Sequence, residues 1–157
     1  MREKYSKRGA FKHNLEKWGE IVTFDYLYSG SQRTVGMNAE KECLVIKDMF
    51  TGITHAYPMS GRNAALVMES VKFFAGRRKI QLAYSDNAPE FIKAMRLLNI
   101  LHDTATPGVP KTNGIAERTN QLIIGGTVTS LIAAGMPPCY WSYAAPCLSL
   151  IHISSPR

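Results

Sequence analysis

An aspartate sits in the middle of the most strand-like stretch of the chain, Ile21-Val22-Thr23-Phe24-Asp25-Tyr26-Leu27-Tyr28. The stretch is β-branched and aromatic, too short for a typical helix, and closed by the breaker Ser29-Gly30-Ser31. It therefore reads as a buried strand. A carboxylate there, with apolar neighbours on both sides, costs several kcal/mol unless something compensates it. No Lys or Arg lies between Lys17 and Arg33, so a local cation is not available. Two readings of Asp25 stand at this point. It reaches backbone amides near the strand end, or it is one of several acids that the fold collects.

The remaining pattern is that of an α/β chain. Its 157 residues suffice for one domain with a real core. Cys43-Leu44-Val45-Ile46 and Ile53 to Met59 are predicted strands, joined as a hairpin by the turn Asp48-Met49-Phe50-Thr51-Gly52. Asp48 is read as bonding that turn's backbone, with a place among the site's acids as the alternative. Asn63 to Ala75 is a predicted helix, with Ala64, Val67, Val71 and Phe74 on one stripe and Gly76 at its end. A strand over Ile80 to Tyr84 follows, then a helix over Ala88 to Leu98 with Pro89 in its first turn. A short strand over Ile100 to Thr104 comes next. After the loop Thr106 to Thr112, Asn113 is placed as the cap of a long helix from Gly114 to about Ala134. Ile115, Leu122, Gly125, Thr129 and Ile132 keep to one face of it. Right-handed crossovers make the fourth and fifth strands parallel to the first, giving a five-stranded mixed sheet with helices on both faces. Sites in such sheets form at strand carboxyl ends where the strand order reverses, and Asp86 stands at such an end.

Asp25, Asp86 and Glu117 come from a strand, a strand end and the start of a helix. Three carboxylates without neighbouring Cys or His ligands suit a hard cation, Mg²⁺ or Mn²⁺. Two such ions roughly 4 Å apart can serve both the attacking and the leaving oxygen of a phosphodiester displacement. Spacing alone is a weak signal among twelve acids; the residues around these three are a stronger one.

Ser85-Asp86-Asn87-Ala88-Pro89-Glu90-Phe91, Thr106-Pro107 to Pro110, and Asn113-Gly114-Ile115-Ala116-Glu117-Arg118-Thr119-Asn120 resemble the catalytic core of retroviral-type integrases. Among these the chain looks most like the copia-type integrases of LTR retrotransposons. Ala134-Gly135-Met136-Pro137 with Tyr140-Trp141-Ser142-Tyr143-Ala144 looks like the segment after the catalytic glutamate in that group. The resemblance spans roughly residues 18–147. It implies a ribonuclease H-like fold, and an Asp-Asp-Glu site of Asp25, Asp86 and Glu117 holding two divalent ions. It also implies DNA integration as a polynucleotidyl transferase: 3′-end processing, an endonuclease step, then strand transfer. Asn87, Lys111, Asn113 and Arg118 would lie near the DNA, Asn113 serving equally as a helix cap and Arg118 as the partner of a neighbouring acid.

Two departures accompany the likeness. Thirty residues separate Asp86 from Glu117, fewer than usual in that family, and the shortage falls in the region of Phe91 to Ile100. Ala88 stands where a glycine often follows Asp-Asn, which calls for a helical rather than a left-handed backbone there.

A net charge of +7 agrees with an anionic partner such as DNA. Residues 1–17 read as a basic lead-in, 18–147 as the core, and 148–157 as a tail outside the family pattern, a possible artefact. Cys43, Cys139 and Cys147 fit neither a disulfide framework nor a zinc site. Charge throughout the first twenty residues argues against a secretory signal, so the protein is expected in the nucleus or a cytoplasmic particle. Between Arg118 and Arg157 there is no Lys, Arg, Asp or Glu, yet Pro137, Pro138, Pro146 and Gly135 argue against a membrane span over Leu131 to Leu150. Helices packed in a core or at a contact between copies explain that stretch better, so a homo-oligomer is expected. The chain is expected to be a fragment of a larger polyprotein. The alternatives are a catalytically inactive or domesticated nucleic-acid-binding copy of the same fold, and a nuclease of ribonuclease H type.

Overall fold

A computed structural model describes residues 15–28, 34–104 and 114–151. Five strands, β1 (Ile21–Tyr28), β2 (Glu42–Asp48), β3 (Thr54–Met59), β4 (Leu82–Ser85) and β5 (Leu101–Thr104), form one sheet in the order β3-β2-β1-β4-β5. β1 pairs antiparallel with β2, and β2 with β3, while β1/β4 and β4/β5 are parallel. The chain thus builds outward from β1 on one side and returns to β1 on the other. The order reverses between β1 and β4.

Four helices cover the sheet: α1 (Ala64–Ala75), α2 (Pro89–Leu97), α3 (Gly114–Ala133) and α4 (Trp141–Ile151). Side chains alternate along β1, and this alternation separates two cores. Val22 and Phe24 join Leu44, Ile46, Val67, Val71 and Phe91 on the face beneath α1 and α2. Leu27 joins Cys43, Val45, Ala56, Ile123 and Trp141 beneath α3 and α4. A central strand covered on both faces needs the near-continuous apolar run that singled β1 out. A slip of one residue would turn Asp25 into the core beneath α1 and α2.

Local chemistry explains most element ends. Asn63 caps α1 by accepting the Leu66 amide at 2.9 Å, and Gly76 ends it with φ 57°. Asp48 is fully buried and spends its carboxylate on the turn, as expected. Oδ2 accepts the Thr51 amide at 2.8 Å and the Thr51 hydroxyl at 2.6 Å, and Oδ1 accepts the Gly19 amide at 2.8 Å. Ala88 is neither helical nor left-handed but extended, with φ −64° and ψ 133°, because it is the residue before the proline that opens α2.

The outer edge of β3 meets α4. Ser149, fully buried, accepts the Ala56 amide at 3.2 Å and donates to the Pro146 carbonyl at 2.7 Å. An otherwise open sheet edge is thereby closed at that point by a helix side chain. Residues 148–151 continue α4, with Leu148 lying against Gly126 of α3 and Ser149 buried in the domain. The apolar stripe of α3 faces outward at Leu122 and Ile132. Leu122 is 52% and Ile132 74% exposed, whereas Thr119, Ile123, Thr127 and Leu131 point inward. Among the described residues no helix is long and apolar enough to cross a membrane.

Candidate active site

The register between β1 and β4 decides where the first two acids stand. The ladder runs Ile21↔Leu82, Val22↔Ala83, Thr23↔Tyr84. Continued by two residues, it brings Asp25 level with Asp86, just past the end of β4. Both line one small cleft of about 30 Å³, together with Thr23, Tyr84, Ser85 and Ala116 of α3. The cleft lies at the strand-order reversal, where open sheets of this kind hold their ligands.

Glu117 projects from the first turn of α3, one residue beyond Ala116, and is exposed. Its charge reaches Asp25. Burial pushes the Asp25 carboxyl up from 3.8 to about 6, a hydrogen bond to the Tyr26 backbone opposes the rise, and Asp86 and then Glu117 add repulsion. The three acids thus share one electrostatic neighbourhood. Among the described residues, however, no three His, Cys, Asp or Glu side chains are gathered closely enough to hold an ion. As a donor set the carboxylates suit Mg²⁺ or Mn²⁺, and Asp25 and Asp86 already share a cleft. Glu117 does not complete it in this conformation.

Of the residues expected near DNA, Asn87 and Arg118 are exposed, Asn87 immediately after Asp86 and Arg118 immediately after Glu117. Lys111 and Asn113 lie outside the described residues, as does the rest of the loop between β5 and α3. The Arg77-Arg78-Lys79 run precedes β4 and so sits at the opposite end of the sheet from Asp86. Arg78 stacks there on the Trp18 ring, 3.9 Å from its centroid.

Two features of the site escaped the sequence reading. Asn120 Nδ2 donates to Asp25 Oδ2 at 2.8 Å, and this bond lowers the carboxyl's pKa. Its own Oδ1 is buried with no hydrogen-bond partner among the described residues. Asn120 stands three residues after Glu117, hence on the same side of α3, a spacing that offered a signal. The second feature is behind Asp86, where Ser85 Oγ lies 2.8 Å from the Asp86 carbonyl oxygen and 2.8 Å from His102 Nε2. Neither contact has a sequence signature.

The solved structures with this arrangement of strands and helices include the catalytic core domain of BIV integrase. The two superpose with a TM-score of 0.63 over 88% of this chain and 86% of that one, at 19% sequence identity. This chain has an integrase-type, ribonuclease H-like fold. A chain of the simian T-cell lymphotropic virus intasome in complex with PP2A regulatory subunit B56 gamma gives a TM-score of 0.66, at 21% identity over 96% of this chain and 59% of that one. In sequence, the chain is 29% identical over 129 residues to the retrovirus-related Pol polyprotein from transposon RE2 of Arabidopsis thaliana. It is also 29% identical over 131 residues to that from transposon RE1 of the same plant. Each match takes in 76% of this chain and 9% of the polyprotein. The Pol polyprotein from transposon TNT 1-94 of Nicotiana tabacum is 33% identical over 72 residues, covering 43% of this chain and 5% of its own length. No protein-family model matches the chain. The resemblance to copia-type retrotransposon proteins read from the motifs is therefore borne out by sequence relatives, and the fold by integrase cores.

Proposed function

We propose that the chain is the catalytic core of a retrotransposon integrase, a metal-dependent polynucleotidyl transferase working within a longer polyprotein. The observation that carries this reading is the half-buried Asp25. Its carboxyl is raised to about 6 beside Asp86 and within the field of Glu117. A chain selected only for stability gains nothing from crowding two further carboxylates around a half-buried one; a chain that neutralises them with cations does. Asp25 and Asp86 would hold Mg²⁺ or Mn²⁺, with Glu117 joining from α3. Bound ions would supply a polarised phosphodiester and an activated oxygen nucleophile. The protein's own part is to orient Asp25 through Asn120 and to offer Asn87 and Arg118 to the DNA backbone. Its substrates would be the element's DNA ends and a target duplex, met in the nucleus or a cytoplasmic particle.

A strand-transfer assay with Mn²⁺ tests the proposal, using Asp86→Asn as the control. Transfer is expected from the wild type and its loss from the variant; equal signals would end the enzymatic reading. One observation favours the alternative, an inactive DNA-binding copy, namely that Glu117 stands outside a three-acid group. Duplex-DNA binding without transfer, unaltered by Asp86→Asn, is the result that reading requires.

Self-association belongs to the same proposal. Leu122 stands exposed on α3, as do Ile124, Val128 and Ile132, which with Leu131 and Trp141 line an apolar groove of about 370 Å³. Apolar area of this kind favours burial against a second copy. Sedimentation equilibrium is expected to give a mass above that of one chain as concentration rises. A monomer throughout the range would count against it.

A further inference from the structure

Ser85 has one hydroxyl hydrogen and two close neighbours. Its Oγ lies 2.8 Å from the Asp86 carbonyl oxygen and 2.8 Å from Nε2 of His102. A carbonyl oxygen can only accept, so keeping both contacts commits the hydroxyl hydrogen to Asp86. Nε2 of His102 must then carry a hydrogen and donate it to Oγ. We infer that His102, in its Nε2–H form, is a positioning residue that fixes the Ser85 hydroxyl and, through it, the main chain of Asp86. The inference rests on the reading of Asp86 as a carboxylate of the reacting site.

The strands explain how the relay arises. His102 pairs with Ala83, two residues before Ser85, so all three belong to one face of the sheet. Ala83 is part of the core beneath α1 and α2, which makes this the face opposite α3. The Ser85 and His102 side chains therefore approach Asp86 from the face of the sheet opposite Asp25. Ser85 is 4% exposed, so water does not compete for its hydroxyl. Asp86 needs such support because β4 ends at Ser85 and, among the described residues, the carboxylate itself is held only by a long 3.3 Å bond from the Ala88 amide. Were His102 in its Nδ1–H form, Nε2 would accept instead. The Ser85 hydroxyl would turn toward it, and the Asp86 carbonyl would lose its donor. Burial also lowers the His102 pKa, against the pull of Asp103 and Asp86, which keeps the ring neutral at the pH of a transfer assay.

Two measurements test the inference independently. Long-range ¹H–¹⁵N NMR of the histidine rings at pH 8, assigned by the signal missing in His102→Gln, is expected to give His102 as the Nε2–H tautomer. An Nδ1–H ring would overturn the relay whether or not the protein transfers strands. In the Mn²⁺-dependent assay His102→Leu is expected to fall about 10- to 100-fold, the usual loss when support behind a metal-site ligand is removed. His102→Gln, whose amide can donate in the same place, is expected to restore most of that loss. Ser85→Ala/His102→Leu should be no worse than His102→Leu alone. Full activity in His102→Leu, or no recovery in a folded His102→Gln, would refute it. A wild type that shows no transfer but has the Nε2–H tautomer would refute the transferase reading and leave the relay standing.

Discussion

Asp25→Asn is expected to abolish strand transfer while leaving the protein at least as stable as the wild type at pH 8. The loss should be about a thousandfold or more, since a metal-held charge stabilises the transition state by several kcal/mol and each 1.4 kcal/mol is tenfold in rate. The stability expectation comes from the direction of the Asp25 shift. Its folded-state pKa, about 6, lies above the ordinary 3.8, so the fold binds this proton more tightly than the unfolded chain does. Stability from this group is complete below about pH 4, declines as pH rises through about 6, and is gone above that. Asparagine has no charge to lose, and its side-chain oxygen can still accept the Asn120 donor. The variant should therefore gain on the wild type between pH 5 and pH 8, read as the difference between their urea midpoints. The same shift makes divalent-ion binding compete with a proton, so Mn²⁺ affinity of the wild type should climb over pH 5 to 7. An Asp25→Asn protein that unfolds more readily at pH 8 would make Asp25 a structural residue and remove the main support for catalysis.

The features legible in the sequence and those hidden in it divide along a physical line. β1 was legible to the residue, because a strand buried on both faces must be apolar throughout and must stop at its breaker. The ends of α1 were legible from Asn63 and Gly76, whose chemistry acts within a turn of chain. The starts of β4 and β5 were each read too early, at Ile80 and Ile100. Both isoleucines are apolar, but strand limits are set by the partner strand, and the β1/β4 ladder opens only at Leu82. On α3 the periodicity correctly grouped Leu122 with Ile132 but could not say which side meets the sheet. Thr119 and Thr127 face inward there, on the side that also carries the buried Ile123 and Leu131. The acids Asp25, Asp86 and Glu117 could be nominated because motif residues surround them. Their mutual placement could not, since it depends on strand register and on the pose of α3. The Asn120–Asp25 bond joins residues 95 apart in sequence, and its donor looks like any polar residue on a helix.

Asp48→Ala should have the opposite signature to Asp25→Asn: a large loss of stability with metal-dependent chemistry retained in whatever remains folded. Asp48 is fully buried, and three donors converge on it: the Gly19 amide, the Thr51 amide and the Thr51 hydroxyl. Thr51 is exposed, so its two groups can turn to water once the carboxylate is removed. Gly19 is buried and cannot. Its amide would be left without a partner, and hydrogen bonds to a charged acceptor are worth about 1.5–3 kcal/mol each. Gly19 is also a junction. Its carbonyl accepts the Gln81 amide at 2.7 Å, which ties the entry to β1 to the residue before β4. Its φ of 82° and the Lys79 carbonyl against its Cα leave no room for another residue. Loosening Gly19 therefore disturbs the β1/β4 pairing on which the site's register depends. A destabilisation of about 3 kcal/mol or more is expected, a large share of the 5–15 kcal/mol typical of a domain. Urea unfolding followed by circular dichroism would measure it. Asp48→Asn should fall between, because its amide oxygen can keep Gly19 while its NH₂ faces the Thr51 donors. If Asp48→Ala instead unfolds like the wild type and loses only transfer, the buried aspartate is a fourth acid of the reaction and not the pin of the turn.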